Sequence, residues 1–104
     1  MKVWVPSLGK RCYVDFVHTH YDRPVPVGRY WAQGNTTCYF RDENSKVPLL
    51  MGTAFCSVND QFNKARGRKF AMDRALRTGD IVIPRSERAK IWDAYHARGN
   101  SWNY

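Results

Sequence analysis

The stretch from Cys56 to Leu76, CSVNDQFNKARGRKFAMDRAL, constrains the fold more than any other part of this chain. It joins the end of an apolar run to a helix-forming segment. The polar pair between them, Asn59-Asp60, can cap a helix by accepting its free amide protons. On a helical wheel the segment divides into three sides. Phe62, Ala65, Lys69, Met72 and Leu76 share one, with Phe62, Met72 and Leu76 as the expected anchors and the Lys69 stem along its edge. Gly67, Ala71 and Ala75 form a narrow stripe of small residues at four-residue spacing, which permits close approach to a sheet or another helix. Arg66, Phe70, Arg74 and Arg77 occupy the third side.

What precedes this joint reads as sheet. Lys2–Val5 and Arg11–His18 have strand character, and Cys12, Val14 and Phe16 alternate with Tyr13, Asp15 and Val17. Tyr21–Gly28 carries two prolines in three residues, which predicts an extended connection outside the ladder. Arg29–Ala32 and Thr36–Arg41 follow, with Gln33-Gly34-Asn35 as the expected hairpin turn. A polar turn over Asp42–Lys46 leads into Val47–Ser57, with Pro48 near the strand's start.

After the basic helix, Thr78-Gly79-Asp80 is the expected stop and Ile81–Ile83 a candidate fifth strand. Pro84 suits the first turn of a second helix that Gly99 ends. Trp92 and Tyr95 are its expected anchors on the sheet, while Trp102 and Tyr104 either fold back over a core edge, the favoured reading, or stay exposed as a partner-binding patch. The expectation is a single α+β domain over 1–104. An antiparallel sheet of four to five strands, approximately 1–58, is packed by two C-terminal helices, approximately 60–78 and 85–98.

Charge narrows the partners. The formal net charge is +8, and it is uneven: residues 1–63 hold seven Lys/Arg against five Asp/Glu, residues 64–104 ten against four. A basic half of this kind suits nucleic acid, another polyanion or an acidic protein surface. The 43% hydrophobic and 14% aromatic content argues for a folded globule rather than a basic tail. No apolar run reaches the roughly 18 residues a bilayer span needs, so no membrane association is expected. The N-terminus has no continuous apolar stretch of the secretory kind. Three widely spaced cysteines, Cys12, Cys38 and Cys56, read as reduced and mostly buried thiols of a cytoplasmic protein rather than a disulfide framework.

The basic helix is the leading functional candidate. Lys64, Arg66, Arg68, Lys69, Arg74 and Arg77 supply cations that suit phosphates, and Phe70 between the arginines either stacks on an exposed base or turns into the core beneath a merely solvated face. Arg85, Arg88, Lys90 and Arg98 do not share one side, and Glu87 and Asp93 offer them local pairs, so they read as a solvated surface. His18, His20 and Asp22 are the one compact cluster resembling a metal or acid–base site, because residues two apart share a strand face. A third ligand would have to come from His96 or Cys12, and the spacing matches no known zinc motif. The cysteines include no Cys-x-x-Cys pair, and Ser86 and Ser101 lack a nucleophile's context. With no Walker loop, G-x-G-x-x-G or H-E-x-x-H, neither a cofactor nor catalysis is expected.

The Cys56–Leu76 run also resembles a strand–helix signature of small accessory proteins of tailed bacteriophages. The matching positions are Cys56, Asp60, Phe62, Gly67, Arg68, Ala71, Arg74, Ala75 and Leu76, and Pro84-Arg85…Arg88…Ile91-Trp92…Tyr95 is similar to what can follow. The resemblance covers the C-terminal half and carries no active site. It implies expression in a bacterial cytoplasm. It also introduces a rival to nucleic acid, since such proteins often bind and redirect one host polymerase, nuclease or defence factor. The function expected is therefore non-enzymatic nucleic-acid binding through phosphate contacts of the first helix. Binding to an acidic bacterial host protein is the alternative, and a metal-dependent enzyme built on His18, His20 and Asp22 the third reading.

Overall fold

Four strands follow one another as an antiparallel meander in the computed structural model, which describes residues 1–79 and 81–98. They are β1 (Lys2–Val5), β2 (Lys10–Val27), β3 (Tyr30–Asp42) and β4 (Pro48–Ser57), in that spatial order. Helices α1 (Lys64–Arg77) and α2 (Arg85–Ala97) come after them. The described residues are thus α+β, with four strands. The candidate fifth, Ile81–Ile83, forms none. Ile83 is instead a fully buried side chain, and its carbonyl accepts from Arg88 Nη1 at 2.9 Å. Asp80, Gly99, Trp102 and Tyr104, to which helix stops and a fold-back were assigned, lie outside the described residues.

Register separates the two faces of the sheet. Val3 pairs with Cys12, Phe16 with Cys38, and Phe40 with Leu50, all on the side that meets the helices. These residues form one apolar core with Ala71, Met72, Ala75 and Leu76 of α1 and Ile91 and Tyr95 of α2. The opposite face carries the rows Asp15–Tyr39–Met51, Val17–Thr37–Thr53 and Thr19–Asn35–Phe55. Alternation with a period of two therefore decides which side chains the helices cover.

The two longest strands correct the reading of the turns. β2 does not stop at the prolines but runs on to Val27, and Pro26 pairs with Trp31. β1 pairs with β2 only as far as Tyr13, so the distal part of β2 is an edge, where a missing proline N–H breaks no ladder. The register jumps between His20 and Val25, and this bulge accommodates Tyr21–Pro24. The hairpin turn falls at Gly28, whose φ of 59° suits glycine, and not at Gln33-Gly34-Asn35. Gly34 stays in β3 for a different reason. A Cβ there would stand 2.7 Å from the Phe62 ring and overlap the Thr19 carbonyl.

Helix α1 begins later than the polar pair suggested. Its N-cap is Asn63, whose side chain accepts from the Arg66 amide at 3.0 Å, and neither Asn59 nor Asp60 caps it. The carbonyls of Ser57 and Asp60 are taken by Gln33 Nε2, which ties the turn to β3 before the helix starts. The buried side of α1 is Arg68, Ala71, Met72, Ala75 and Leu76. That spacing follows the helical repeat, but it is rotated from the expected side, leaving Ala65 and Lys69 exposed. Phe62 precedes the helix and packs its ring against His18 and His20. The small-residue stripe does dock the helix: Gly67 sits on Thr36, and Gly52 lies beneath Ala71 and Ala75.

Helix α2 starts after Pro84, as expected, and Glu87 in its first turn accepts from Ser7 N and Oγ at 2.7 and 2.6 Å. Tyr95 is buried and Trp92 partly so, with their rings edge to face.

Candidate nucleic-acid interface

The basic residues of α1 split into three groups once the helix is docked. Arg68 is the first, and it leaves the candidate surface altogether. It is 4% exposed, and its Nε donates to the Tyr95 hydroxyl at 3.4 Å. The rotation that places Ala71 and Ala75 on the sheet carries position 68, three residues before Ala71, into the interior. Its charge therefore belongs to the join between α1 and α2.

Arg74 and Arg77 form a second group, exposed but tethered. Arg74 Nη1 donates to the Thr53 carbonyl at 2.7 Å, binding the helix to β4, the last strand of the sheet. Arg77 lies 3.6 Å from Asp73, one helical turn back. An exposed pair of this kind contributes little to stability, about 0.3–0.5 kcal/mol, and exchanges readily for another anion.

Lys64, Arg66 and Lys69 are exposed near the start of α1. Among the described residues, neither Arg66 nor Lys69 forms an ion pair. Arg66 instead lies over the Phe70 ring, its guanidinium carbon 5.6 Å from the ring centre. Phe70 is turned outward and half exposed. A large aromatic in that position, flanked by Arg66 and Arg74 on one helix edge, is the arrangement the spacing of four residues allowed.

Beside this edge lies a shallow cleft, about 420 Å³ counting the solvent at its mouth. Phe55 of β4 and Phe70 of α1 both line it, together with Arg66, Asp60, Gln61 and Asn63. Phe55 was not among the expected site residues. Its signal was legible in β4, where Leu50, Gly52 and Ala54 face the helices and Met51, Thr53 and Phe55 face away. An aromatic on the uncovered side of a terminal strand stands beside whatever rises over that edge.

His18, His20 and Asp22 do not converge. Both imidazoles flank the Phe62 ring, and no group of three His, Cys, Asp or Glu side chains that could hold a metal ion occurs among the described residues. His18 Nδ1 shares a hydrogen bond with Thr36 Oγ1 at 2.7 Å, while its Nε2 is buried without a partner. Burial, then the charges of Arg68 and Lys64, push its pKa below the ordinary value. Those cations also oppose a bound metal.

The cysteines differ in burial. Cys12 and Cys38 are buried in the core, and burial pushes both thiols up. Cys56 is only partly buried and lines the cleft. Burial and the nearby Asp60 raise its pKa as well. No helix among the described residues is long and apolar enough to cross a membrane. Comparison of the chain with protein-family models, with curated proteins and with solved structures returns no match.

Proposed function

We propose that this chain is a non-enzymatic nucleic-acid-binding protein of the phage accessory type, acting in a bacterial cytoplasm. Its phosphate contacts come from Lys64, Arg66, Lys69, Arg74 and Arg77. The observation that carries this reading is Phe70, half exposed on the same helix edge as Arg66 and Arg74. An aromatic that serves only the core would be turned inward. One held at the surface under a guanidinium has the composition of a strand-binding surface, cation for backbone and ring for base.

The test is a salt titration with short oligonucleotides followed by fluorescence anisotropy. Binding through phosphates weakens steeply with salt, with a log–log slope of about −0.9 per phosphate neutralised on duplex DNA and about −0.7 on a single strand. Absence of affinity for DNA and RNA at low ionic strength rejects the proposal.

A protein partner is the second reading, favoured by one observation. The sheet face turned away from the helices leaves Trp4, Val17 and Met51 each about half exposed, and exposed apolar surface of this kind suits a protein interface. The partner would be an acidic bacterial host protein, such as a polymerase, nuclease or defence factor. A stoichiometric protein retained from bacterial lysate after nuclease treatment supports this reading. Recovery of nucleic acid alone counts against it.

A further inference from the structure

The cleft between Phe55 and Phe70 has a chemistry that phosphate binding does not explain. Phe55 of β4, 39% exposed, and Phe70 of α1, 50% exposed, line one concavity, and Asp60 lines it too. A carboxylate there repels a phosphate, so the cleft itself is not the phosphate site. The rings offer π-faces, Arg66 brings the cation beside them, and Asp60 and Gln61 bring hydrogen-bonding groups suited to the polar edge of a base. Paired bases in a duplex keep their faces stacked on one another. Only an unpaired base can present its face to a side chain.

We infer that the Phe55–Phe70 cleft is a stacking slot for one unpaired nucleobase, and that the ligand of this protein is single-stranded nucleic acid. The inference rests on the nucleic-acid reading given above and narrows it. The occupant is argued from charge complementarity. Arg66 stands at the cleft, Arg74 lies two turns further along the same helix edge, and the chain carries a formal net charge of +8. A base in the slot places its own phosphate toward these arginines and its exocyclic groups toward Asp60, away from the phosphates. A carboxylate accepts from the exocyclic amino group of cytosine, adenine or guanine, which thymine and uracil lack, having only a ring N–H between two carbonyls. The slot therefore favours an amino-bearing base.

The experiment compares three probes of equal length by anisotropy at fixed low salt: a single-stranded deoxycytidine oligomer, the corresponding abasic strand, and a duplex. The first two carry the same phosphates and differ only in their bases. Stacking of one base predicts that the base-bearing strand binds about 5- to 140-fold more tightly than the abasic one. F70A and F55A each remove much of that difference, while F70W retains it. Circular dichroism checks that the variants are folded, and the exposure of both side chains makes this the expected result.

Alkylation of Cys56, which lines the cleft, gives a second readout. The base-bearing strand slows its reaction with iodoacetamide and the abasic strand does not. Equal affinity for base-bearing and abasic strands, with no effect of F70A or F55A, overturns the slot and leaves the phosphate reading standing. No affinity for any of the three probes overturns both.

Discussion

Gly52 of β4 lies directly beneath Ala75 of α1. A Cβ added at Gly52 would stand 2.8 Å from Ala75 Cα and overlap both the Ala75 amide nitrogen and the Ala71 carbonyl. The helix backbone rests on the sheet backbone at this point, and α1 holds its height and rotation because neither side presents a larger group. The exposure of Phe70 and the tether from Arg74 to Thr53 both follow from this close approach.

Replacing Gly52 is therefore expected to damage the fold more than its size suggests. The atoms it would strike are backbone, which cannot move aside as a flexible side chain does. G52A is expected to lose about 1–3 kcal/mol, in the range for overpacked cores. Urea denaturation reads the loss as a lower midpoint at unchanged slope. A variant as stable as the parent would show that α1 can lift from the sheet freely, contrary to the contact described.

Arg66 and Arg68, two residues apart, are expected to behave in opposite ways. R68A removes an enclosed guanidinium and its bond to Tyr95, and is expected to cost about 1–3 kcal/mol of stability. R66A leaves stability within about 0.5 kcal/mol, as for an ordinary surface change. Its effect is on nucleic-acid affinity, where the loss of one phosphate contact flattens the salt slope by about 0.7–0.9. Thermal melts and binding titrations on the same two variants check both halves.

His18 sets a pH dependence whose sign follows from its surroundings. Burial first, then Arg68 and Lys64, hold its folded pKa below the ordinary 6.5. The unfolded chain therefore binds more protons than the folded one as pH falls. His18 costs no stability well above pH 6.5 and becomes destabilising as pH drops through that value, until its folded pKa is passed. H18N, which keeps a polar group toward Thr36 and does not titrate, is expected to lose less stability than the parent between pH 7.5 and 5.5. Parallel slopes for the two proteins would show that His18 is not the titrating group.

The three thiols are expected to separate by rate. Cys12 and Cys38 lie in the core, and Cys56 is only partly buried. In the folded protein at pH 8, a disulfide reagent should modify one thiol quickly and the other two only on unfolding. C56S should abolish the fast phase. Because Cys56 has a raised pKa, that phase is expected to be slower than for a free thiol. A fast phase that survives in C56S would place Cys12 or Cys38 at the surface instead.

Local sequence determined a good deal of this molecule. Strand alternation, Pro48 at the head of β4, the polar turn at Asp42–Lys46 and the Pro84 helix start each depend on a few neighbouring residues, and each is found where those residues stand. The small-residue stripe at Gly67, Ala71 and Ala75 was legible for the same reason, since a helical repeat groups them before any partner exists. The side of α1 that is buried was not. Periodicity offers several faces, and the choice between them depends on what lies opposite: Gly52 admits Ala71 and Ala75, and that rotation draws Arg68 inward and leaves Lys69 out. Gly34 looked like a turn because its freedom is a local property, yet its position answers to the Phe62 ring, 28 residues away. The cap moved to Asn63 because Gln33 claims the carbonyls before it. Above all, Phe55 and Phe70 line one cleft only because α1 packs against β4. A wheel places Phe70 between arginines, but only the packed backbone can bring a residue of β4 to the same cleft.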